Sequence, residues 1–261
     1  MPDSPLVSII VNCFNGEKFL KRCLDSIISQ SYKNWEIIFW DNLSNDKSKI
    51  ILNEYLKHPV KYFQSDKILK LYEARNLAIK KSEGKYICFL DVDDYWEEDK
   101  IQTQVEFLEK NRDFKMVYSN YYTLDQIKNK KFIQNNFRLP SGAITKELLK
   151  KYTLGIVTAF LRRDIFDEQM FNKKYEIIGD FDFFVKLSKK IKIGCIQRPL
   201  ANYRIHKENY SKKKIDLYIQ ELREWIKHNE SEFSKYGISL FYQKTLLFKL
   251  ILKKYVSFMG V

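Results

Sequence analysis

The stretch YICFLDVDDYW, residues 86–96, decides how this chain folds. Residues 86–90 are a short apolar run with two aromatic side chains and a β-branched one, the pattern of a buried central strand. Three carboxylates, Asp91, Asp93 and Asp94, follow at once. At the end of a buried strand they repel one another. The cost falls if they lie at an open sheet edge and share a divalent cation. Mg²⁺ or Mn²⁺ suits such a cluster, because hard ions take oxygen ligands and keep positions for water and phosphate. A solvated acidic turn with Asp94 capping the next helix accounts for the same residues, so the metal needs support from elsewhere.

Towards the N-terminus the pattern repeats. Apolar runs at 6–11 (LVSIIV), 35–40 (WEIIFW) and 60–64 are expected strands, the first nearly continuous, as in strands covered on both faces. A helix follows the first, with Phe19, Leu20, Cys23, Leu24, Ile27 and Ile28 on one face. A second is expected to open at Ser44 or Asn45 and run through 56. A third spans 73–81 and closes at Gly84. This alternation predicts a doubly wound, mostly parallel α/β sheet, whose ligands bind beyond the carboxyl ends of the strands. Residues 12–15, 41–44 and 91–94 are polar clusters at three such ends, and one shared site explains all of them. The chain has neither GxGxxG after the first strand nor GxxxxGK[ST], which argues against nicotinamide and P-loop pockets.

Towards the C-terminus the pattern predicts a helix to about 111, a strand at 116–119, and a loop or irregular hairpin over 121–140. A short helix at 145–152 and a strand at 156–161 follow. EIIGDFDFFVKLSKK, residues 176–190, is a helix that can place Ile177, Phe181, Phe184, Val185 and Leu187 on one face. Asp180 sits in its first turn, where the helix N-terminus favours a carboxylate. Short strands at 192–196 and 200–204 lead to Tyr203, Arg204 and His206. From about 211 the chain is helical, and its last helix aligns Leu247, Phe248, Ile251, Leu252, Tyr255, Phe258 and Met259. Lys249, Lys253 and Ser257 lie opposite, and residues 241–261 contain no acid. Such a helix can lie on an anionic membrane, pack on the preceding domain, or meet a second copy of the chain.

With 261 residues, 45% of them hydrophobic, the chain can build one large domain or a domain with an appendage. The 15% aromatic content argues against disorder. No apolar window is long enough for a spanning helix, and the N-terminus lacks a basic region and cleavage signal. Four scattered cysteines, without CxxC or a Cys/His cluster, indicate neither zinc nor a disulfide framework, and fit a cytoplasmic location. The net charge of +13 favours anionic partners, but its lysines are spread throughout rather than focused with stacking aromatics, which speaks against nucleic acid.

The ordered set VSIIVNCFN, IIFWDNLSND, EARNLAIKKSEGKYICFLDVDD, GDFDFFVKLS and YRIH resembles the family 2 glycosyltransferases of GT-A fold, over residues 6–206. The resemblance implies a metal-dependent, inverting transferase that moves a sugar from a UDP-, GDP- or dTDP-sugar donor to a saccharide or lipid-linked acceptor in surface-polysaccharide assembly. Asn12, Phe14 and Asn15 would line the nucleoside pocket. Asp41 would contact base or ribose beside Asn42, where many relatives carry two acids. Arg75 would lie near the base and the donor phosphates. Asp91 and Asp93 match the DxD motif, with Asp93 the main Mn²⁺ or Mg²⁺ ligand and Asp91 nearer the ribose or sugar. Asp180 matches the general base. Its usual Glu neighbour is Gly179 here, and Asp182 is a candidate substitute. Arg204 and His206 match a late segment that approaches the pyrophosphate or metal. The domain is expected over 1–206, with its nucleotide half to about 111, and a helical extension over 207–261.

Simpler roles compete. Arg75 can pair with Glu73 or Asp66, His206 can be a surface histidine, and Asn12 a turn residue. An aspartate-nucleophile phosphotransferase fails on Tyr95, where Thr or Val is wanted, and on the acidic strand being fourth. A calcium loop fails on Trp96 and Gln102. A catalytically silent nucleotide-sugar binder remains the alternative, because of Asn42 and Gly179.

Overall fold

The computed structural model describes residues 4–207 and 214–258. Strands β1 (Val7–Cys13) and β2 (Trp35–Asp41) are buried at every position, as their continuous apolar runs require. β3 (Val60–Gln64) pairs with β2 and β4 (Tyr86–Phe89) with β1, all parallel. Helices α1 (Glu17–Ile28), α2 (Ser48–Asn53) and α3 (Leu71–Lys80) lie in the crossovers. The register sets Cys13 beside Asp41 and Ile10 beside Phe89. The polar segments that follow β1, β2 and β4 therefore emerge along one edge of the sheet.

After β4 come β5 (Tyr95–Trp96), α4 (Lys100–Lys110), β6 (Met116–Asp125), β7 (Lys130–Ile133) and α5 (Thr145–Lys150). A 3-10 turn (Ile156–Thr158), β8 (Phe160–Arg162), α6 (Ile165–Glu168), α7 (Gly179–Ser188) and β9 (Ile193–Ile205) follow. The strand order is β3-β2-β1-β4-β8-β6-β9-β5, with β7 on β6. β8 is antiparallel to both neighbours, while β6 and β9 are parallel. Helices α8 (Ile215–Lys235) and α9 (Phe241–Phe258) end the chain's described part. One apolar layer includes Leu24, Cys88 and Val105. The other joins Ala78, Phe183 and Phe184 to Trp225 and Phe233 of α8. The first helix of the C-terminal extension is thus part of the core.

The mostly parallel sheet with a helical C-terminal extension is as expected, and several details differ. The strand at 116–119 continues to Asp125 because β9 pairs along it, and the two short strands near 200 are one, with register shifts around Asn120. The 121–140 segment begins as the β6–β7 hairpin. The strand at 156–161 divides into a 3-10 turn and β8. Ser44 and Asn45 do not cap α2. Asp46 instead accepts the N–H of Ser48 at 2.9 Å. Gly84 does not cap α3. A Cβ there would meet the Ser8 nitrogen at 2.6 Å, so Gly84 is what allows this segment to approach β1. Helix α7 begins at Gly179; its Phe183 enters the core, while Phe181, and Ile177 just before the helix, are only partly buried. The last helix does not bury its stripe. Leu247 and Leu250 pack on the core, whereas Phe248, Leu252 and Tyr255 are 61%, 47% and 63% exposed. Met259 and the side chain of Phe258 lie outside what is described.

Candidate active site

The first group of expected site residues lies at the ends of β1 and β2. Asn12 lies within β1, not in a turn, and is buried. Its Nδ2 and Oδ1 have no partner among the described residues. An unsatisfied buried amide is costly, and a ligand that paired with it would remove the penalty. Phe14 is half-exposed at the strand end. Asn15 adopts a left-handed conformation, φ 52°, and its Oδ1 accepts the Asn45 N–H at 2.9 Å. Its own N–H donates to Ser44 Oγ at 3.0 Å, which ties the two loops together. The Asp41 carboxylate is buried and accepts the Ser44 N–H at 2.8 Å and the Tyr62 hydroxyl at 3.1 Å. Asn42 is engaged differently. Its amide bonds both backbone groups of Leu69, at 2.9 and 3.0 Å, and so shapes the approach to α3.

The acidic turn after β4 holds three carboxylates in three different settings. Asp91 pairs with Arg75, Nη2 to Oδ1 at 2.7 Å. This is the ion pair Arg75 makes, rather than one with Glu73 or Asp66. The guanidinium is buried, with Tyr72, Phe89 and Phe171 ring centroids at 5.3, 5.6 and 5.7 Å. Asp93 Oδ2 lies 3.0 Å from His206 Nε2, and Arg204 Nε donates to the Asp93 carbonyl at 2.7 Å. Burial pushes the Asp93 carboxyl up, the charge of Asp91 adds to this, and the His206 contact opposes it. Asp94 is almost fully buried and accepts the backbone N–H of Arg204 at 2.8 Å. Burial, then Asp93 and Asp91, raise its pKa well above the usual carboxylate range. Asp94 thus clamps β9 onto the turn. His206 is buried against Phe19, not a surface histidine, and Arg204 lies over Phe19 and Tyr95.

A carboxylate and an imidazole 3.0 Å apart can both ligate one cation, and this O/N pair suits Mn²⁺. Asp91 is turned to Arg75 instead. No three His, Cys, Asp or Glu side chains among the described residues converge on one point. The expected trio of Asp91, Asp93 and His206 is therefore present as a pair with a neighbour. Such incomplete sets are usual where phosphate and water fill the other positions.

Asp180 lies at the first turn of α7, where its Oδ1 accepts the Phe181 N–H at 2.7 Å. The Tyr72 and Tyr152 hydroxyls stand 3.4 Å from its two oxygens, long for such bonds. Burial raises the Asp180 pKa, while the Phe181 N–H and the Arg75 charge oppose the rise. A continuous chain of contacts runs from Asp180 through Tyr72 and Arg75 to Asp91. Asp182 points elsewhere. It accepts the Trp225 indole N–H at 2.8 Å and pairs with Lys186. It does not substitute for the absent Glu. Tyr72 does occupy that place. A Cβ on Gly179 would lie 2.4 Å from the Tyr72 ring. Tyr72 and Tyr152 were not apparent from the sequence, although Tyr72 directly precedes the EARN segment that holds Arg75.

With the fold and the geometry of the candidate site described, the comparisons give the class of protein. Residues 8–170 match the glycosyl transferase family 2 model, and the chain belongs to that family. It is a glycosyltransferase. It is 32% identical over 219 residues to an Escherichia coli UDP-Glc:alpha-D-GlcNAc-diphosphoundecaprenol beta-1,3-glucosyltransferase, WfaP, covering 83% of this chain and 84% of that one. A second E. coli enzyme with the same printed activity, WfgD, is 28% identical over 82% of each chain. Among solved structures, S. aureus TarS in complex with UDP superposes with a TM-score of 0.66 at 20% identity, over 83% of this chain and 65% of that one. The mannosyltransferase PcManGT from Pyrobaculum calidifontis, in complex with GDP-Man and Mn²⁺, gives 0.64 at 15% identity, over 87% and 65%. These structures share the fold with this chain.

Proposed function

We propose that this protein transfers a hexose, with inversion, from a UDP-sugar to a lipid-linked saccharide in surface-polysaccharide assembly. The observation that carries this is the separation of two acidic centres joined by one contact chain. The acidic turn, where Asp91 meets Arg75 and Asp93 meets His206 and Arg204, forms one centre. Asp180, flanked by two phenols, forms the other. The first suits a leaving diphosphate, whose new charge Arg204 and Arg75 would stabilise. Asp93 and His206 would hold Mn²⁺ or Mg²⁺, which supplies further charge stabilisation when bound. The second suits the acceptor hydroxyl, a poor nucleophile until a carboxylate takes its proton. Attack from the Asp180 side, opposite the leaving group, inverts the anomeric centre.

Asn12 and Asp41 would receive the nucleoside. The E. coli relatives and the UDP-bound TarS favour uridine over guanosine or thymidine. The two departures that suggest a silent binder have structural explanations: Asn42 is a loop brace, and Gly179 makes room for Tyr72. No helix among the described residues is long and apolar enough to cross a membrane. Peripheral contact through α9 fits its exposed Phe248, Leu252 and Tyr255 and the absence of acids from residues 241–261. The test is a thermal-shift comparison of UDP, GDP and dTDP with and without Mn²⁺, followed by transfer assays. UDP with Mn²⁺ should give the largest rise in Tm. A metal-independent shift that is equal for all three nucleotides would contradict the assignment.

A further inference from the structure

The first turn of α7 carries Asp180, and α8 holds that turn from outside. Glu221 of α8 is only 5% exposed. Its Oε1 accepts the N–H of Glu176 at 2.7 Å, and its Oε2 accepts those of Ile177 and Ile178 at 2.9 and 3.2 Å. Ile178 is the residue from which α7 starts, and its own side chain makes no capping bond. N–H groups at a helix entry lack partners within the helix, and the helix dipole favours a carboxylate there. Glu221 meets both needs, and hydrogen bonds to a carboxylate are stronger than those to a neutral acceptor.

Trp225 lies about one turn further along α8, on the same face as Glu221. Its indole N–H donates to Asp182 at 2.8 Å, and its ring meets that of Phe181 at 4.8 Å between centroids. α8 therefore grips the chain at 176–178 and again at 181–182, and Asp180 lies between the two attachments. Residue 179 has no room for a side chain that could brace the turn from within, since a Cβ there would lie 2.4 Å from the Tyr72 ring. A glycine also leaves the backbone its widest freedom. The turn that aims the Asp180 carboxylate is thus fixed from α8.

We propose that Glu221 is a positioning residue for Asp180, with Trp225 as a second anchor, so that the C-terminal extension serves the transfer step and not only the core. Glu221 acts through the backbone. It holds the segment from which Asp180 reaches the acceptor hydroxyl, and a small displacement of that segment lowers the rate of transfer without weakening the donor. The assignment rests on the reading of Asp180 as the base.

The test compares the full chain with its E221Q, W225F and F233L variants. E221Q keeps the size of the side chain but turns an NH₂ towards a backbone N–H. Hydrogen exchange read by mass spectrometry needs no acceptor, and segment 176–183 of E221Q should exchange about tenfold faster while β1 and β4 are unaltered. With UDP-Glc and decyl diphosphate carrying GlcNAc as acceptor probe, kcat should fall about tenfold for E221Q and about threefold for the milder W225F, while UDP–Mn²⁺ affinity stays within about twofold. Phe233 is buried in α8 away from the turn, so F233L should lower Tm and leave kcat unaltered. On a D180N background, E221Q should cause no further loss, because it acts through Asp180. Unchanged exchange at 176–183, a wild-type kcat in E221Q, a matching loss of donor affinity, or an equal loss of kcat in F233L overturns the proposal. D180N separates this from the reading beneath it. Transfer by D180N at the wild-type rate sinks the base assignment, whereas an inactive D180N beside a fully active E221Q sinks the positioning role alone.

Discussion

Asp180 is the proposed base, and burial raises its pKa. The folded chain therefore binds this proton more tightly than the unfolded chain does. Two consequences follow from that sign. As a base, Asp180 must be ionised, so kcat should fall as pH drops through the raised pKa. As a buried charge, ionised Asp180 costs stability at neutral pH, and that loss is recovered in acid. D180N should therefore raise Tm at pH 7 by about 2 °C or more, read by calorimetry, and the gain should vanish at low pH. Tyr72 opposes the pKa rise through its hydroxyl. Y72F should move the acid limb of the kcat profile to higher pH and lower kcat at neutrality about tenfold. An unmoved limb would reduce Tyr72 to packing. Asp180, Asp93 and Asn12 could be picked as candidates because motif spacing and strand ends mark them. Tyr72 and Tyr152 were not, since the phenols reach Asp180 from 108 and 28 residues away in the chain.

At the scale of elements, the first four parallel strands were legible because burial on both faces leaves continuous apolar runs. β5 is two residues long and exists only by pairing with β9, so no local pattern could mark it. The apolar run at 156–161 marked a strand there, but β8 pairs only from Phe160, where its distant neighbours Tyr86–Cys88 and Met116–Val117 reach it. Gly84 shows how a residue of known type can be given the wrong reason. Its lack of a side chain serves strand proximity, not a helix end. G84A should be destabilised by about 1–3 kcal/mol through overpacking, measured by urea denaturation. A neutral effect would mean that β1 and the 82–85 segment can part without penalty. A cavity beside Asp180 was illegible for a related reason: α5, α7, α8 and α9 each contribute only one or two ordinary apolar residues to it, among them Leu149, Phe181, Leu222 and Leu246.

At the scale of the whole molecule, the sheet divides labour. Its N-terminal parallel half presents Asn12, Asp41 and the acidic turn, while the C-terminal half returns through β9 to bring Arg204 and His206 onto that turn. α8 and α9 then line a cavity that Asp180 also borders. An exposed, acid-free α9 predicts sedimentation with anionic vesicles that weakens steeply with salt. F248E/L252E should abolish it, whereas equal binding to neutral vesicles would contradict an electrostatic contribution. The most direct test of the whole account sets D93N beside D180N and measures UDP–Mn²⁺ affinity and sugar transfer for each. The account predicts that D93N loses both. It predicts that D180N keeps donor affinity within about twofold and loses transfer by about 10²–10⁴. Transfer by D180N at the wild-type rate, or equal loss of donor affinity in the two variants, would contradict it.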